Sequence, residues 1–266
     1  MVRAVVVYIV GGFMACLTYA QVSQPMFDVA SVKHAGTARP TGGSRSPGQW
    51  RAERATLVRL IRYGYPRYEF EDLIIGGPDW VRETRFDVEA RMAPSTSPEQ
   101  LAQMVVHLLA ERFQLRTHAE RRPIDIYALR MARADGQLET GLKRSNAACV
   151  DARKSGQPLP PECRENAAIG GMQYRAMQIS DFIRMLSALG IDRPVVDRTG
   201  LSGYFDLQLH YDFAPFAAAA GRPIAPPVDG VSFFTALQEQ AGLKLEPVRE
   251  LVDVLVIDSA QSPTPN

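Results

Sequence analysis

The sequence predicts an α+β fold made of two similar small lobes, each with two helices on a small mixed β-sheet. Two stretches, residues 50–131 and 173–257, carry the same order of features. Each has a strand-like lead, a short amphipathic helix, a glycine-containing turn, an alternating strand built on Phe-Asp, a second helix and further strand. A repeat of about 80 to 90 residues is typical of two like-built units.

The elements of the first stretch follow from capping residues and apolar spacing. Thr56 is a good N-cap for a helix that Gly64 ends, with apolar residues recurring every three to four positions. Ser97, Pro98 and Gln100 form a capping box at the start of a second helix. Strands are predicted at 27–32, 50–52, 85–90, 113–117 and 124–131, with a loop at 35–48.

The second stretch repeats this order after a polar segment. Its first helix ends at Gly190, and its second helix begins at Ser232 and ends at Gly242. Strands are predicted at 194–196, 204–209, 243–246 and 252–257, with a mobile loop at 211–230.

These elements divide the chain into a leader, a first lobe, a linker containing a disulfide loop, a second lobe and a disordered tail. Each lobe alone is small and marginal, so we expect the two to pack together. The predicted boundaries are, in that order, 1–20, 26–131, 132–171, 172–260 and 261–266.

The leader is predicted to be a secretory signal peptide. Arg3 supplies a positive start, residues 4–17 are apolar or small, and Ala20 ends the run at a peptidase site. An uncleaved membrane anchor is the alternative, but the run is shorter than the roughly 20 residues that span a bilayer. A lipoprotein would use Cys16, although residues 13–15 make a poor lipobox. We therefore predict a periplasmic or secreted protein with no stable membrane span after cleavage.

Charge and cysteine content narrow the possible partners. The formal net charge is +1, and removal of the leader with Arg3 leaves a neutral chain without a basic block, which argues against nucleic acid. Cys149 and Cys163 predict a disulfide in an oxidising compartment. Closing a loop of about 15 residues would stabilise the fold by about 3 kcal/mol. The alternative, half of a metal site, lacks a neighbouring histidine and the four ligands that zinc needs.

No catalytic cluster is evident, so we predict a protein that is not an enzyme and has no cofactor and no metal. The sequence has no Gly-x-Ser-x-Gly nucleophile elbow and no phosphate-binding glycine loop. None of the four histidines, His34, His107, His118 and His210, has another at metal-ligand spacing.

Two glycine-containing turns stand out. The segment around Asp197 resembles the Asp-Thr-Gly of aspartic proteases, but an inserted arginine breaks the tight turn. We expect Asp197 to accept backbone N–H groups, and Gly200 and Gly203 to adopt positive φ. The other predicted structural turn consists of Gly76, Gly77, Pro78 and Asp79.

Candidate binding residues come from a segment rich in arginine and tyrosine, residues 59–68, and from the tryptophan that follows the first turn. Such pairs stack and hydrogen-bond well at recognition surfaces. The alternative is that the tyrosine rings and the tryptophan cover the core while the arginine heads stay in water. The predicted binding residues, near a groove between the lobes, are Arg62, Tyr63, Tyr65 and Trp80.

Several blocks are also familiar as a set, at 27–33, 55–61, 75–80, 85–90, 109–115, 194–203, 237–247 and 254–258. Together they resemble a large family of uncharacterised exported proteins, a domain of unknown function expanded in soil acidobacteria. Some relatives carry the domain behind membrane-embedded sensor peptidases of the antirepressor type. The resemblance implies an extracytoplasmic sensing or binding module, with no established catalytic residues. His34 departs from the family pattern.

At fold level, each half also resembles the short N-terminal domains of secretins and TonB-dependent receptors, which are periplasmic protein-contact modules. We therefore expect an exported binding module for a protein, a peptide or an envelope polymer. One rival is an envelope-directed hydrolase, which would need acids such as Asp197 and Asp206 clustered in a cleft. Another is a structural envelope component without a specific ligand.

Overall fold

A computed structural model describes residues 25–36, 42–155, 159–168, 171–212 and 230–263. The predicted leader and most of the predicted mobile loop lie outside the described residues. Within them, twelve strands form three four-stranded sheets together with six α-helices, which confirms the α+β class.

In chain order the strands are β1 (Val29–His34), β2 (Gly42–Ser46), β3 (Gln49–Thr56), β4 (Ile74–Gly76), β5 (Arg85–Arg91), β6 (Arg116–Met131), β7 (Leu142–Arg144), β8 (Asn166–Ala168), β9 (Gly171–Met177), β10 (Val195–Asp197), β11 (Phe205–His210) and β12 (Leu243–Ser259). The helices are α1 (Leu57–Gly64), α2 (Trp80–Glu83), α3 (Pro98–Arg112), α4 (Ala147–Ser155), α5 (Ile179–Leu189) and α6 (Phe233–Ala241).

The helix caps follow local sequence. Thr56 caps α1 by accepting a hydrogen bond from the backbone N–H of Arg59, and Ser97 and Gln100 form the reciprocal capping box of α3. Gly190 and Gly242 end α5 and α6 in the left-handed conformation, where a side chain would be strained. Each of these helix ends lies where the sequence predicts it.

The sheets differ from the predicted pair of small mixed sheets. Sheet A (β1-β5-β3-β2) and sheet C (β7-β11-β9-β8) are wholly antiparallel, and sheet B (β10-β6-β12-β4) is mixed. The third sheet exists because β6 and β12 pair with each other along their whole lengths. Each was predicted as two shorter strands, but the structure joins residues 116–131 and 243–259 into one long antiparallel ribbon.

At each end of the ribbon, a third strand from the other stretch of the chain pairs with one of the two ribbon strands. β4, from the first stretch, pairs in parallel with the last part of β12, and β10, from the second stretch, pairs in parallel with the last part of β6. The middle of the ribbon is only two-stranded. Pro123 is tolerated there because its missing N–H would face no third strand. One buried hydrophobic cluster runs through elements of both stretches, and the division into two lobes stays a prediction.

In both stretches, the aspartate of the Phe-Asp strand (β5 or β11) binds a residue with positive φ in the neighbouring strand. Arg54 in β3 has φ +50° and Ala176 in β9 has φ +47°, although both carry side chains. The backbone N–H of Arg54 donates to Asp87 Oδ1 (2.8 Å), and that of Ala176 donates to Asp206 Oδ1 (3.2 Å). Each aspartate therefore helps to stabilise a left-handed residue that would cost about 1–2 kcal/mol on its own.

The predicted linker and the first predicted loop both contain regular structure. Residues 132–171 include β7, α4 and β8, and the two strands extend sheet C. The predicted disulfide is present between Cys149 and Cys163, with Cα atoms 5.4 Å apart and both residues fully buried. The predicted loop at 35–48 contains β2, because pairing with β3 gives this glycine- and serine-rich segment a partner.

Candidate binding groove

A groove of about 650 Å³ lies beside the middle of the β6–β12 ribbon, where elements of both stretches meet. We call it the ribbon groove. One wall comes from the loop after α1, with Pro66, Arg67 and Glu69, and the other from Ser180 and Arg184 on α5. Ile183 on α5 and Leu73 before β4 also line it. The rest of the lining comes from the ribbon and from β10 with its following turn: Arg121, Val195, Val196, Asp197, Arg198, Leu251, Val252 and Asp253.

A second cavity of about 480 Å³ adjoins the ribbon groove and shares Pro66, Glu69 and Arg184 with it. We call it the α1–α3 cavity, because residues of these two helices line most of it. Its apolar lining comes from Tyr63, Pro66, Pro98, Leu101 and Ala102, and its charged lining from Arg45, Arg59, Arg62, Glu69, Glu99 and Arg184. The two cavities adjoin at these three shared residues, and we refer to them together as the depression.

Polar contacts bridge the two walls. Arg184 Nε on α5 donates to Glu69 Oε1 (3.0 Å) from the loop after α1. Arg62 Nη2 on α1 donates to Ser187 Oγ (2.9 Å) on α5, and this hydroxyl donates to the Glu69 carbonyl (3.1 Å). These bonds join residues more than a hundred positions apart, so they hold the two walls of the groove together in the folded chain.

Most arginines of the depression are already paired. Arg67 contacts Asp253, and Arg198 Nη2 lies 2.9 Å from Glu250 Oε2. Among the described arginines that line the two cavities, three have no carboxylate within 4.0 Å of the guanidinium group, namely Arg45, Arg59 and Arg121.

The two remaining carboxylates of the lining are bound by uncharged groups. Asp197 Oδ1 accepts from the backbone N–H and the hydroxyl of Thr199, each at 2.8 Å. The Ser97 hydroxyl donates to Glu99 (2.7 Å) and lowers the pKa of that carboxyl, with a smaller contribution from Arg45. Both carboxyl groups are therefore held within their own turns.

Two of the four predicted binding residues line the α1–α3 cavity. Arg62 is half-buried, pairs with Glu71 at 3.6 Å, and has a buried Nε without a hydrogen-bond partner. The Tyr63 ring packs edge-on against Trp50, with centroids 5.4 Å apart, and lies so close to Gly43 that a Cβ there would overlap its hydroxyl. Their binding role stays a prediction.

The structure does not bring the other two predicted residues to the depression. The Tyr65 hydroxyl lies 3.1 Å from Thr117 Oγ1 on β6, and Trp80 packs edge-on against Phe86 with centroids 6.3 Å apart. Trp80 is half-buried at the start of α2. Both rings contribute to packing between elements of the first stretch.

The predicted turns have the backbone geometry that their glycines permit. Gly76 and Gly77 have φ of +76° and +75°, and Gly200 and Gly203 have φ of +71° and +89°. Pro78 and Asp79 accept the first backbone hydrogen bonds of α2, from Val81 and Arg82. Gly77 also approaches Ile257 closely, which brings β4 against β12.

The acids of the hydrolase hypothesis occupy different environments. Asp197 is exposed at the ribbon groove, whereas Asp206 is buried in sheet C, where it binds Arg175 and the Ala176 N–H. Within the described ranges, no group of three or more His, Cys, Asp or Glu could hold a metal ion. Among the same residues, no helix combines the length and apolar character needed to cross a bilayer.

Sequence reasoning missed the residues that the ribbon brings to the groove. Arg121 and Arg249 each precede an aspartate by four positions, so the motif Arg-x-x-x-Asp occurs in both final strands. This second copy of a charged pattern was a usable signal for the repeat. Arg184 carried no comparable signal, because its partner Glu69 lies in the other stretch.

Comparison with known proteins identifies one family. A family model described as a protein of unknown function, DUF3738, matches residues 58–260, which include both walls of the depression. No curated protein and no solved structure gives a significant match. Because the matched range covers well over half of the 266 residues, the chain belongs to the DUF3738 family of proteins of unknown function.

Proposed function

We propose that the protein is an exported binding module whose ligand occupies the ribbon groove. The observation that carries this proposal is the groove itself, a concave site of about 650 Å³ that is formed by elements of both stretches and adjoins the α1–α3 cavity. Ligand sites are typically concave, largely preformed and lined by apolar side chains with a few directed polar groups. The groove is concave, and its lining has as many charged residues as apolar ones, so it is more polar than a typical small-molecule site.

Export is part of the proposal. It is supported by the signal-peptide pattern of residues 1–20 and by the buried disulfide, since disulfides persist mainly in oxidising compartments. The resemblance to exported acidobacterial proteins, some fused to antirepressor-type sensor peptidases, supports a sensing-related role. The ligand would then be a protein, a peptide or an envelope polymer.

The test of export is the mature N-terminus. After expression of the full chain in a bacterial host, we expect the periplasmic or secreted fraction to contain protein that begins at Gln21 and carries the oxidised pair Cys149–Cys163. Intact-mass and peptide analysis would show both. Full-length protein with reduced thiols in the cytoplasm would overturn the proposed location.

The test of the binding site blocks the groove with one bulky side chain. Ser180 is exposed on the groove wall of α5, whereas Ala188 is exposed on the same helix but lines neither cavity. Native envelope extract would be passed over wild type, Ser180→Trp and Ala188→Trp, and the retained proteins and glycans would be quantified. A ligand of the groove is retained by wild type and Ala188→Trp and lost from Ser180→Trp. Equal retention by all three proteins would refute the proposed site.

A further inference from the structure

We propose that the ribbon groove binds an acidic peptide segment, and that Arg121 is the cation that meets one of its carboxylates. This inference rests on the proposed function and names the ligand class of the same site. It follows from a difference between two otherwise matching positions on the ribbon, one at the groove and one outside it.

Two arginine–aspartate pairs occur in the ribbon, and in each the two residues lie directly opposite each other on β6 and β12. Arg249 lies opposite Asp125 in the ribbon register, and Asp253 lies opposite Arg121. At the first position the pair forms, with Arg249 Nη1 3.0 Å from Asp125 Oδ2. Neither of these two residues lines the groove. This position shows that the register of the ribbon permits a direct ion pair between the two strands.

At the groove the same pair does not form. Arg67, from the loop after α1, contacts Asp253 instead. Arg121 Nη2 donates to the Leu251 carbonyl (3.0 Å), and in the described ranges its guanidinium has no carboxylate within 4.0 Å. A guanidinium carries five N–H donors in a planar fork, so Arg121 keeps donors for a ligand at the groove.

The other charged side chains near Arg121 are already bound to groups of the protein. Arg184 is held by Glu69, and Arg198 by Glu250. Asp197, the carboxylate of the β10 turn, is held by two hydrogen bonds from Thr199. Among the described residues that line the ribbon groove, Arg121 is the arginine without a carboxylate partner, so an anionic ligand would bind there. Arg45 and Arg59 are also without a carboxylate partner in the adjoining cavity.

The rest of the lining favours a peptide over a sugar polymer. Leu251 is 53% exposed, and Ile183, Val195 and Val196 also reach the groove, so its apolar surface is aliphatic. Among the residues that the structure describes, the lining of the ribbon groove includes no Asn, Gln, Trp or Tyr. Aliphatic side chains of a peptide match this surface, and its carboxylates match the planar fork of an arginine, which binds them in bidentate fashion.

The test uses a synthetic probe and a matched pair of variants. The probe is a fluorescein-labelled octapeptide, Glu-Leu-Glu-Ala-Glu-Leu-Glu-Ala, with a glutamine version as its neutral counterpart and an oligogalacturonate as an acidic sugar. Fluorescence anisotropy would measure the Kd for wild type, Arg121→Gln and Arg249→Gln. The two arginines occupy matching ribbon positions, one at the groove and one outside it. Thermal denaturation would confirm that both variants are folded.

We expect the acidic peptide to bind wild type and Arg249→Gln with Kd values within about twofold, and Arg121→Gln about tenfold or more weakly, as for loss of one hydrogen-bonded charge. The glutamine peptide should bind at least about tenfold more weakly than the acidic one. Equal weakening in both variants would show nonspecific attraction and overturn the proposal. Absence of binding to wild type would overturn it as well, as would tighter binding of the oligogalacturonate.

The ligand class and the proposed function fail separately. If Ser180→Trp abolishes retention of a native ligand while the acidic peptide does not bind, the groove stands as the site and the acidic-peptide assignment is wrong. If the acidic peptide binds through Arg121 but Ser180→Trp retains every native ligand, the groove has the inferred chemistry and the proposed biological site is wrong.

Discussion

Removal of the Asp206 carboxylate is the sharpest test of how the fold is held together. The side chain is 8% exposed, and its two oxygens have different partners. Oδ2 lies 3.0 Å from Arg175 Nη1, and Oδ1 accepts the backbone N–H of Ala176 at 3.2 Å. Ala176 is fully buried, has φ +47° and packs against Cys149. Asp206 thus supports a strained bend directly beneath the disulfide.

The magnitude follows from what each substitution leaves behind. Asp206→Ala leaves the Ala176 N–H without its acceptor and Arg175 without its carboxylate, and breaking a buried pair in this way costs about 3–5 kcal/mol. Asp206→Asn keeps an oxygen for the Ala176 N–H and loses the charge, so we expect about 1–2 kcal/mol. Asp87→Ala removes the matching bond to Arg54 from a half-buried position, where water substitutes, so about 1–2 kcal/mol is expected.

Urea denaturation of the oxidised proteins, followed by circular dichroism and linear extrapolation, would give the free energies of unfolding. The expected order of destabilisation is Asp206→Ala first, with Asp206→Asn and Asp87→Ala similar to each other. The reasoning would be refuted if Asp206→Ala cost no more than Asp87→Ala, because the buried pair would then contribute nothing beyond a single backbone hydrogen bond.

Three further predictions concern stability. Replacing both Cys149 and Cys163 with serine should lower the free energy of unfolding by about 3 kcal/mol and abolish its dependence on dithiothreitol, measured by denaturation with and without reductant. Burial raises the pKa of Tyr211, with a smaller contribution from Tyr174, so this phenol stabilises the fold below its unfolded pKa of about 10, and that stability declines as the pH rises above it. Tyr211→Phe should reduce the loss in alkaline denaturation. Gln114 follows α3 and has φ +47°, so Gln114→Gly should raise the free energy of unfolding by up to about 1 kcal/mol. Gly242→Ala at the C-terminal end of α6 should lower it, and urea denaturation would measure both changes.

Helix ends were predictable because the relevant contacts are local. The Ser97 capping box and the left-handed glycines at 190 and 242 involve groups within a few residues of each other, so their chemistry is visible in sequence. The disulfide was predictable for a similar reason, since Cys149 and Cys163 stand close together in a polar segment.

The long ribbon was not predictable from local patterns. Most residues in the first half of β6 are exposed or half-buried, so the strand lacks the apolar alternation that marks one face of a sheet. Pro123 also interrupts the pattern, and only the two-stranded context explains why it is accepted. β2, rich in glycine and serine, likewise forms because β3 supplies its hydrogen-bond partners. The ribbon strands therefore depend on partners distant in the chain, whereas β2 depends on the strand that directly follows it.

The position of the groove follows from the same long-range pairing. Because the last part of β6 pairs with β10 and the last part of β12 pairs with β4, neither stretch completes its strand pairing without the other. The middle of the ribbon is left without a third strand, and the walls that close over it come one from each stretch, with Arg184 and Glu69 joined across them. A ligand at Arg121 would therefore lie between walls from both stretches, and its binding would stabilise the folded chain against unfolding.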